Sequence, residues 1–390
     1  MLLQDNFAAS GLTDEQRDLQ SVARDFTMRE VLPVANELDP VEGEIPMSLR
    51  DKMAEIGFFG ITVPEEYGGL GLGAMEYCIV AEELARGWMS VASIMARGNR
   101  MFGSFPEDKA RELYPKVVAG ELLGATAISE AEAGSDVANI ACRADSVPDG
   151  WRITGTKMWC TFADGADYLT VFARTAPPTD PQRRHEGVSM FFIPKQRGTL
   201  PDRVTGTKVR KIGYRGWSTW ELAFDGLELP HDALIGEEGR AFRYIMQGLD
   251  LARAHTAARS IGLARGALED SSDYAKTRIV FGQSIESFQA IRFKLATMAS
   301  EIEASRQLMY AVCRHIDTGQ RGSTQASMVK YLASEMAERV TSEGIQIHAG
   351  AGYTTDFAVE RYWRDARLTK IFEGTSEIQQ RIISDALLGR

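Results

Sequence analysis

"STWELAFDGLEL", residues 218–229, alternates Trp220, Leu222 and Phe224 with Glu221, Ala223 and Asp225. On an extended chain, side chains two apart share a face, so this period describes a strand with one face buried and one wet. Three neighbours have the same character. "WRITGTKMWC" (151–160), "YLTVFART" (168–175) and "VSMFFIP" (188–194) are short, rich in β-branched and aromatic residues, and bounded by Gly, Pro or Asp. No segment of crossover length separates them, which disfavours a parallel βαβ sheet. The span 125–238 therefore reads as an antiparallel sheet or small barrel.

On either side the hydrophobic period lengthens to that of a helix. Upstream, "LTDEQRDLQSVARDF" (12–26) offers a Thr13–Gln16 capping box and places Leu12, Leu19, Val22 and Phe26 on one face. "MEYCIVAEELARGWMSVASIM" (75–95) is a mostly apolar helix, reached through the loop "VPEEYGGLGLG" (63–73). The glycines at 68–73 lack G-x-G-x-x-G spacing and read as a loop. Downstream, "FQAIRFKLATMASEIEASRQLMYAV" (288–312) repeats Phe288, Ile291, Leu295, Met298, Ile302, Ser305, Met309 and Val312 every three or four positions, and "STQASMVKYLASEMAERVTSEGIQIH" (323–348) behaves alike. The expected fold is α+β, mostly α. It has an N-terminal helical domain (1–124), a middle antiparallel β-domain (125–238) and a C-terminal helical bundle (239–390).

Composition narrows the function. The 390 residues are 44% hydrophobic and 25% charged, with a formal charge of −10, which argues against nucleic acid as the main partner. No stretch approaches the ~20 apolar residues of a membrane span. The opening "MLLQDNFAAS" has no basic region followed by an apolar one, so a cytoplasmic protein is expected. Cys78, Cys142, Cys160 and Cys313 lack C-x-x-C spacing and read as reduced core thiols. The five histidines show no metal-ligand spacing, and no metal is expected.

One stretch asks for a chemical explanation. In "KIFEGTSEIQQRII" (370–383), Ser376 and Gln379 have capping-box spacing, so a helix is expected from Ser376. Glu373 then lies just outside that helix, after Ile371 and Phe372 and before Gly374. An apolar setting disfavours an ionised carboxylate, and the start of a helix favours it. Alone, such a glutamate is an ordinary solvated side chain.

Seven colinear stretches across nearly the whole chain change that reading: "VPEEYGGLGLG" (63–73), "AISEAEAGSD" (127–136), "GTKMWCTFADGADY" (155–168), "KIGYRG" (211–216), "YAKTRIVFGQSIESFQ" (274–289), "IQIHAGAGYT" (345–354) and "RDARLTKIFEGTSEIQ" (364–379). Together they resemble the acyl-CoA dehydrogenase family, FAD-dependent enzymes that desaturate acyl thioesters. The resemblance implies that Glu373 removes the α-proton while the β-hydrogen leaves as hydride to the flavin. It also implies electron transfer to an electron-transferring flavoprotein and a homotetramer that shares FAD between subunits. The family's other location for the base, on the helix containing "GLDLAR", corresponds here to Ala252, which takes no proton.

By the same resemblance, Ser129, Ser135, Trp159 and Thr161 meet the flavin ring and pyrophosphate. Arg278, Phe281 and Gln289 reach the adenine half of FAD in a neighbouring subunit, Gln346, Ala349 and Gly350 meet another part of it, and Thr375 and Glu377 complete the set. Asp250 and Arg253 are implied to hold coenzyme A, with Ser135 and Gly374 beside the thioester arm. Several positions depart from the family pattern: Ala131 replaces a proline, Phe162-Ala163 an Asn-Gly, Val280 a threonine and Phe372 a tyrosine.

"SIMARGNR" (93–100) corresponds to the closed end of the acyl pocket. Arg97 there is unexpected, because a buried guanidinium without a partner is costly. It either points away or pairs with an internal acid, or it meets a distal carboxylate of a glutaryl- or succinyl-type thioester. Two further alternatives keep the scaffold and change its use: a relative with oxidase, decarboxylase or desulfinase chemistry, and a catalytically silent flavin-binding protein.

Overall fold

The computed structural model describes residues 11–97, 105–180 and 182–389. The opening decapeptide and Gly98, Asn99 and Arg100 of the "SIMARGNR" stretch lie outside the described residues. Among the described residues, six α-helices come first: α1 (Asp14–Phe26), α2 (Leu32–Leu38), α3 (Met47–Glu55), α4 (Ala74–Gly87), α5 (Met89–Ile94) and α6 (Glu107–Val118). The expected capping box opens α1, with Thr13 and Gln16 satisfying each other's backbone N–H. The buried face of α1 corrects the sequence reading, however. Val22 is 50% exposed and Ala23 is buried, so the stripe runs Leu19, Ala23, Phe26 at helical spacing.

Eight strands follow: β1 (Gly124–Ala127), β2 (Arg143–Val147), β3 (Gly150–Thr161), β4 (Tyr168–Arg174), β5 (Val188–Pro194), β6 (Val204–Lys208), β7 (Thr219–Leu229) and β8 (Leu234–Ile235). They form one sheet in the order β6-β7-β3-β2-β4-β5-β8, with β1 alongside β4. Along β7, Leu222 and Phe224 face the core and Glu221 and Asp225 face water, as their alternation requires. The expectation of a purely antiparallel sheet is corrected. β1 runs parallel to β4, from Gly124 opposite Tyr168 to Ala127 opposite Val171, and β2 touches β4 in parallel at Arg143 and Arg174. Both strands therefore point the same way along one edge of β4, interrupted by the irregular stretch 128–142, so no crossover helix is required. That interruption carries "AISEAEAGSD".

The centre of the sheet is covered on both faces. Leu169, Val171, Phe191 and Ile193 join the main core, whereas Phe172, Met190 and Phe192 pack with Leu113 and Val117 of α6 in a second cluster. This explains why β4 and β5 read as continuous apolar runs rather than as alternations.

The rest is helical: α7 (Ala241–Thr277), a small β9–β10 hairpin (Ile279–Val280, Gln283–Ser284), α8 (Gln289–Asp317), α9 (Ser323–His348), α10 (Val359–Thr369) and α11 (Ser376–Leu388). The stripe foreseen on α8 is buried from Met298 onward and half-buried before it. Helix α7 lies close against α4. A Cβ at Gly262 would stand 2.3 Å from the Glu82 carbonyl oxygen, so only glycine admits this approach. At the same junction two adjacent buried carboxylates are held by arginines. Glu82 pairs with Arg306 (2.9 Å) and Arg265 (3.1 Å), and Glu83 pairs with Arg265 and with Arg24 (3.1 Å). All four cysteines are free and buried, as expected. Among the described residues no helix is long and apolar enough to cross a membrane.

Candidate active site

A cavity of about 820 Å³ opens where the sheet, α5, the first half of α7 and the α10–α11 connection meet. Its polar geometry centres on Glu373. That residue has φ 55° and is followed by Gly374 at φ 91°, so the chain turns through two left-handed residues between α10 and α11. For a glutamate this conformation costs about 1–2 kcal/mol and must be held by its surroundings. Lys330 Nζ (2.6 Å) and Gln379 Nε2 (3.0 Å) both donate to the Gly374 carbonyl from within the bundle. Burial pushes the Lys330 ammonium down to about 8, against the opposing pull of Glu373. The following helix is capped by Thr375, whose hydroxyl accepts from the Ile378 N–H, one residue earlier than the expected cap. Ser376 instead donates to Glu335 (2.8 Å).

The Glu373 carboxylate is held on both oxygens. Thr256 Oγ1 lies 2.7 Å from Oε2, and Arg259 Nη2 donates to Oε1 at 2.9 Å. Arg259 is only 2% exposed. It also donates to Ser93 Oγ (2.8 Å) and Thr256 Oγ1 (3.0 Å), and its guanidinium lies over the Phe372 ring at 4.7 Å. The apolar setting expected from Ile371 and Phe372 is therefore only half of the environment. Phe372 packs against a cation, and that cation favours the charged carboxylate. Sequence reading missed Arg259 and Thr256. The available signal was their spacing, since Ala252, Thr256 and Arg259 fall on one stripe of α7.

Arg259→Met is expected to slow the reaction of this site at least ~10-fold, with Arg259→Lys restoring part of the rate. Single-turnover rates for the two variants, with thermal unfolding measured alongside, check this. Equal losses in the two variants would contradict a role for the charge.

The same cavity is lined by Trp159. A register shift between Lys157 and Cys160 and φ 62° at Trp159 twist β3, leaving the indole 56% exposed on the cavity wall. Thr161 beside it exchanges a hydrogen bond with Thr219 (3.0 Å). The Met158 N–H donates to the Ser129 carbonyl (2.8 Å), tying the 128–142 stretch to the strand. The same stretch is pinned by Glu130, which accepts from Ala141 N (2.7 Å), Cys142 N (3.0 Å) and the buried Lys157 ammonium (2.7 Å). Phe162, in place of the family's Asn, adopts φ 72°. Its buried ring packs edge-on against Trp217, so aromatic packing holds a turn usually left to a smaller residue.

Of the residues singled out from sequence, Glu373, Ser129, Ser135, Trp159, Thr161, Gly374, Thr375 and Arg97 all line this one cavity. Ala252 lines it too, with no acid there. Asp250 and Arg253 lie on α7 but not on the cavity wall. Asp250 accepts from the Gly322 N–H (3.0 Å) and from Arg253 (3.5 Å), and Arg253 is buried. Arg278, Phe281 and Gln289 sit exposed around the β9–β10 hairpin, and Gln346, Ala349 and Gly350 are exposed at the end of α9, away from the cavity of the same chain. Glu377 is exposed in the first turn of α11.

A large indole left open in a cavity is unfavourable unless another flat ring covers it, and the adjacent hydroxyls of Thr161 and Ser129 supply donors at its edge. These residues fit an isoalloxazine.

Comparison with known proteins extends over nearly the whole chain. Residues 13–121, 125–227 and 239–388 match the N-terminal, middle and C-terminal domains of acyl-CoA dehydrogenases. The chain is 37% identical over 403 residues to (2S)-methylsuccinyl-CoA dehydrogenase of Cereibacter sphaeroides, covering 99% of this chain and 73% of that protein. It superposes on butyryl-CoA dehydrogenase from Megasphaera elsdenii with a TM-score of 0.89 at 33% identity, covering 97% of this chain and 99% of that one. On a glutaryl-CoA dehydrogenase in complex with glutaryl-CoA the TM-score is 0.90 at 30% identity, covering 97% and 96%.

Proposed function

Because the chain belongs to the acyl-CoA dehydrogenase family of FAD-dependent oxidoreductases, we propose that it desaturates an acyl-CoA between Cα and Cβ, with Glu373 taking the α-proton. One observation carries the reading: among the described residues, Glu373 is the sole carboxylate lining the cavity that Trp159 also lines. A hydrogen next to a thioester is weakly acidic, so its removal needs a base already in place. Thr256 and Arg259 hold both carboxylate oxygens and restrict where the proton can be taken.

FAD, held by Trp159, Thr161, Ser129 and Thr375, supplies the two-electron acceptor for the hydrogen leaving the β-carbon. The electrons then pass to an electron-transferring flavoprotein. The exposed Arg278, Phe281, Gln289, Gln346, Ala349 and Gly350 meet the remainder of FAD across a subunit boundary in a tetramer. The 91% exposure of Phe281, at φ 53°, supports such a contact. The acyl groups in the names of the relatives, butyryl, methylsuccinyl and glutaryl, are short, and a short acyl chain is proposed here.

The test is anaerobic mixing of the FAD-loaded protein with a panel of acyl-CoA thioesters. Bleaching of the flavin with formation of the 2,3-enoyl-CoA is expected for at least one short thioester. An unchanged flavin spectrum with every member of the panel contradicts the proposal.

A further inference from the structure

The lining of the cavity carries five cations, Arg97, Lys211, Arg259, Arg364 and Arg367, against the single carboxylate of Glu373. Three of the five are matched by acids: Arg259 by Glu373, Arg364 by Asp39 and Glu360, and Arg367 by Glu338. Lys211 donates to the carbonyls of Tyr214 (2.8 Å) and Trp217 (2.9 Å). Arg97 is different. Among the described residues its side chain has no acid in ion-pair contact and no hydrogen-bond acceptor, and its enclosed Nε is without a partner. Its guanidinium lies over the Trp217 ring at 5.4 Å, which screens one face of the cation but satisfies none of its five N–H donors. The backbone beneath is fixed by Tyr168, whose hydroxyl donates to the Arg97 carbonyl (3.2 Å).

Arg97 and Lys211 also converge on one residue, Trp217. Burial and then the nearby charge of Arg97 push the Lys211 ammonium down to about 8, with Asp365 pulling the other way. Two mutually repelling cations beside Trp217, neither in an ion pair with a described acid, leave a place where an anion is favoured.

Resting on the reading of Glu373 as the base, we propose that the acyl group taken by this site ends in a carboxylate that pairs with Arg97. The fork of a guanidinium matches the two oxygens of such a group. Arg259 holds Glu373 with one nitrogen and Ser93 with the other, and Arg97, four residues beyond Ser93, lines the same cavity. The class proposed is a short diacid thioester whose distal carboxylate serves only to bind, with no bond to it made or broken.

Glutaryl-CoA and pentanoyl-CoA differ at one end only, a carboxylate against a methyl group, and are the probes. With the FAD-loaded protein, flavin bleaching is expected to favour glutaryl-CoA over pentanoyl-CoA by ~100-fold in kcat/KM, and Arg97→Leu is expected to remove about that factor from the ratio, with Arg97→Lys between. Calorimetric affinities for the same pair, measured in Glu373→Gln and in Glu373→Gln combined with Arg97→Leu, decide the question independently of any chemistry. A glutaryl preference in binding that Arg97→Leu abolishes supports the proposal even if no thioester bleaches the flavin, which would instead overturn the assigned reaction. Equal ratios with and without Arg97, in binding or in bleaching, overturn the proposal while leaving the reaction standing.

Discussion

Glu373→Gln is expected to slow flavin reduction by a good acyl-CoA substrate ~100- to 10,000-fold, the usual range for loss of a positioned general base. The substitution is nearly isosteric. The amide oxygen can still accept from Arg259, whose Nη2 lies 2.9 Å from the carboxylate, and the amide N–H can donate to Thr256 Oγ1. The turn is also held through its backbone, at the Gly374 carbonyl, by Lys330 and Gln379. Thermal stability and thioester affinity should therefore change little, and the loss should lie in the rate of the chemical step. Rapid mixing at saturating thioester measures that step. If the Glu373→Gln variant has its flavin reduced at the parent rate, Glu373 is removed from the mechanism.

The largest stability effect is expected at a residue that does not line the cavity. Arg265→Leu should cost about 3–5 kcal/mol, because it leaves Glu82 and Glu83, both buried, with one cation fewer between them. Burial alone would raise the Glu83 carboxyl, but Arg265 and Arg24 outweigh it and hold the group at about 2, below its ordinary 4.5. A carboxyl depressed in the folded state stabilises above its unfolded value, and that contribution is lost as pH falls from about 4.5 towards 2. The parent should thus weaken across that window, and Arg265→Leu should already lack most of this contribution at pH 7. Denaturant unfolding at pH 7 and pH 4 compares the two. Flavin reduction at low temperature should be unchanged in the variant, since Arg265 does not line the cavity. A loss below about 1 kcal/mol would mean that Arg306 and Arg24 suffice for the pair.

Much of this architecture was legible in the sequence where a single physical preference dominates. The strand at 218–229 alternates because one of its faces is wet. The stripe on α8 repeats because one face is buried. Legibility failed where two preferences compete or where partners are remote. Val22 is larger and more apolar than Ala23, yet the alanine packs inward, since close helix contact favours the small residue. Thr375 and Ser376 both carry a capping hydroxyl, and only the extended backbone of Thr375 (φ −60°, ψ 164°) lets it serve the first turn. The parallel pairing of β1 with β4 joins strands about forty residues apart, and nothing local specifies it.

The site divides in the same way. Glu373, Trp159 and the Ser129 stretch lie in motifs that could be read directly. Arg259 could not, because an arginine on a helix is ordinarily solvated, and its role appears only when α7 passes beneath the 373–375 turn. Arg97 stood between two readings in the sequence, and its place on the cavity wall without a described acid favours the inward one.

The central claim, that Glu373 draws a proton from the α-carbon, is tested most directly by hydrogen exchange. A 3-thia-acyl-CoA has sulfur at the β position and no β-hydrogen to lose, so only proton removal can be observed. In deuterated buffer with the FAD-loaded protein, its α-hydrogens are expected to exchange rapidly by NMR, and to remain unexchanged over the same period with Glu373→Gln. Equal exchange in the two proteins would contradict the assignment of the base.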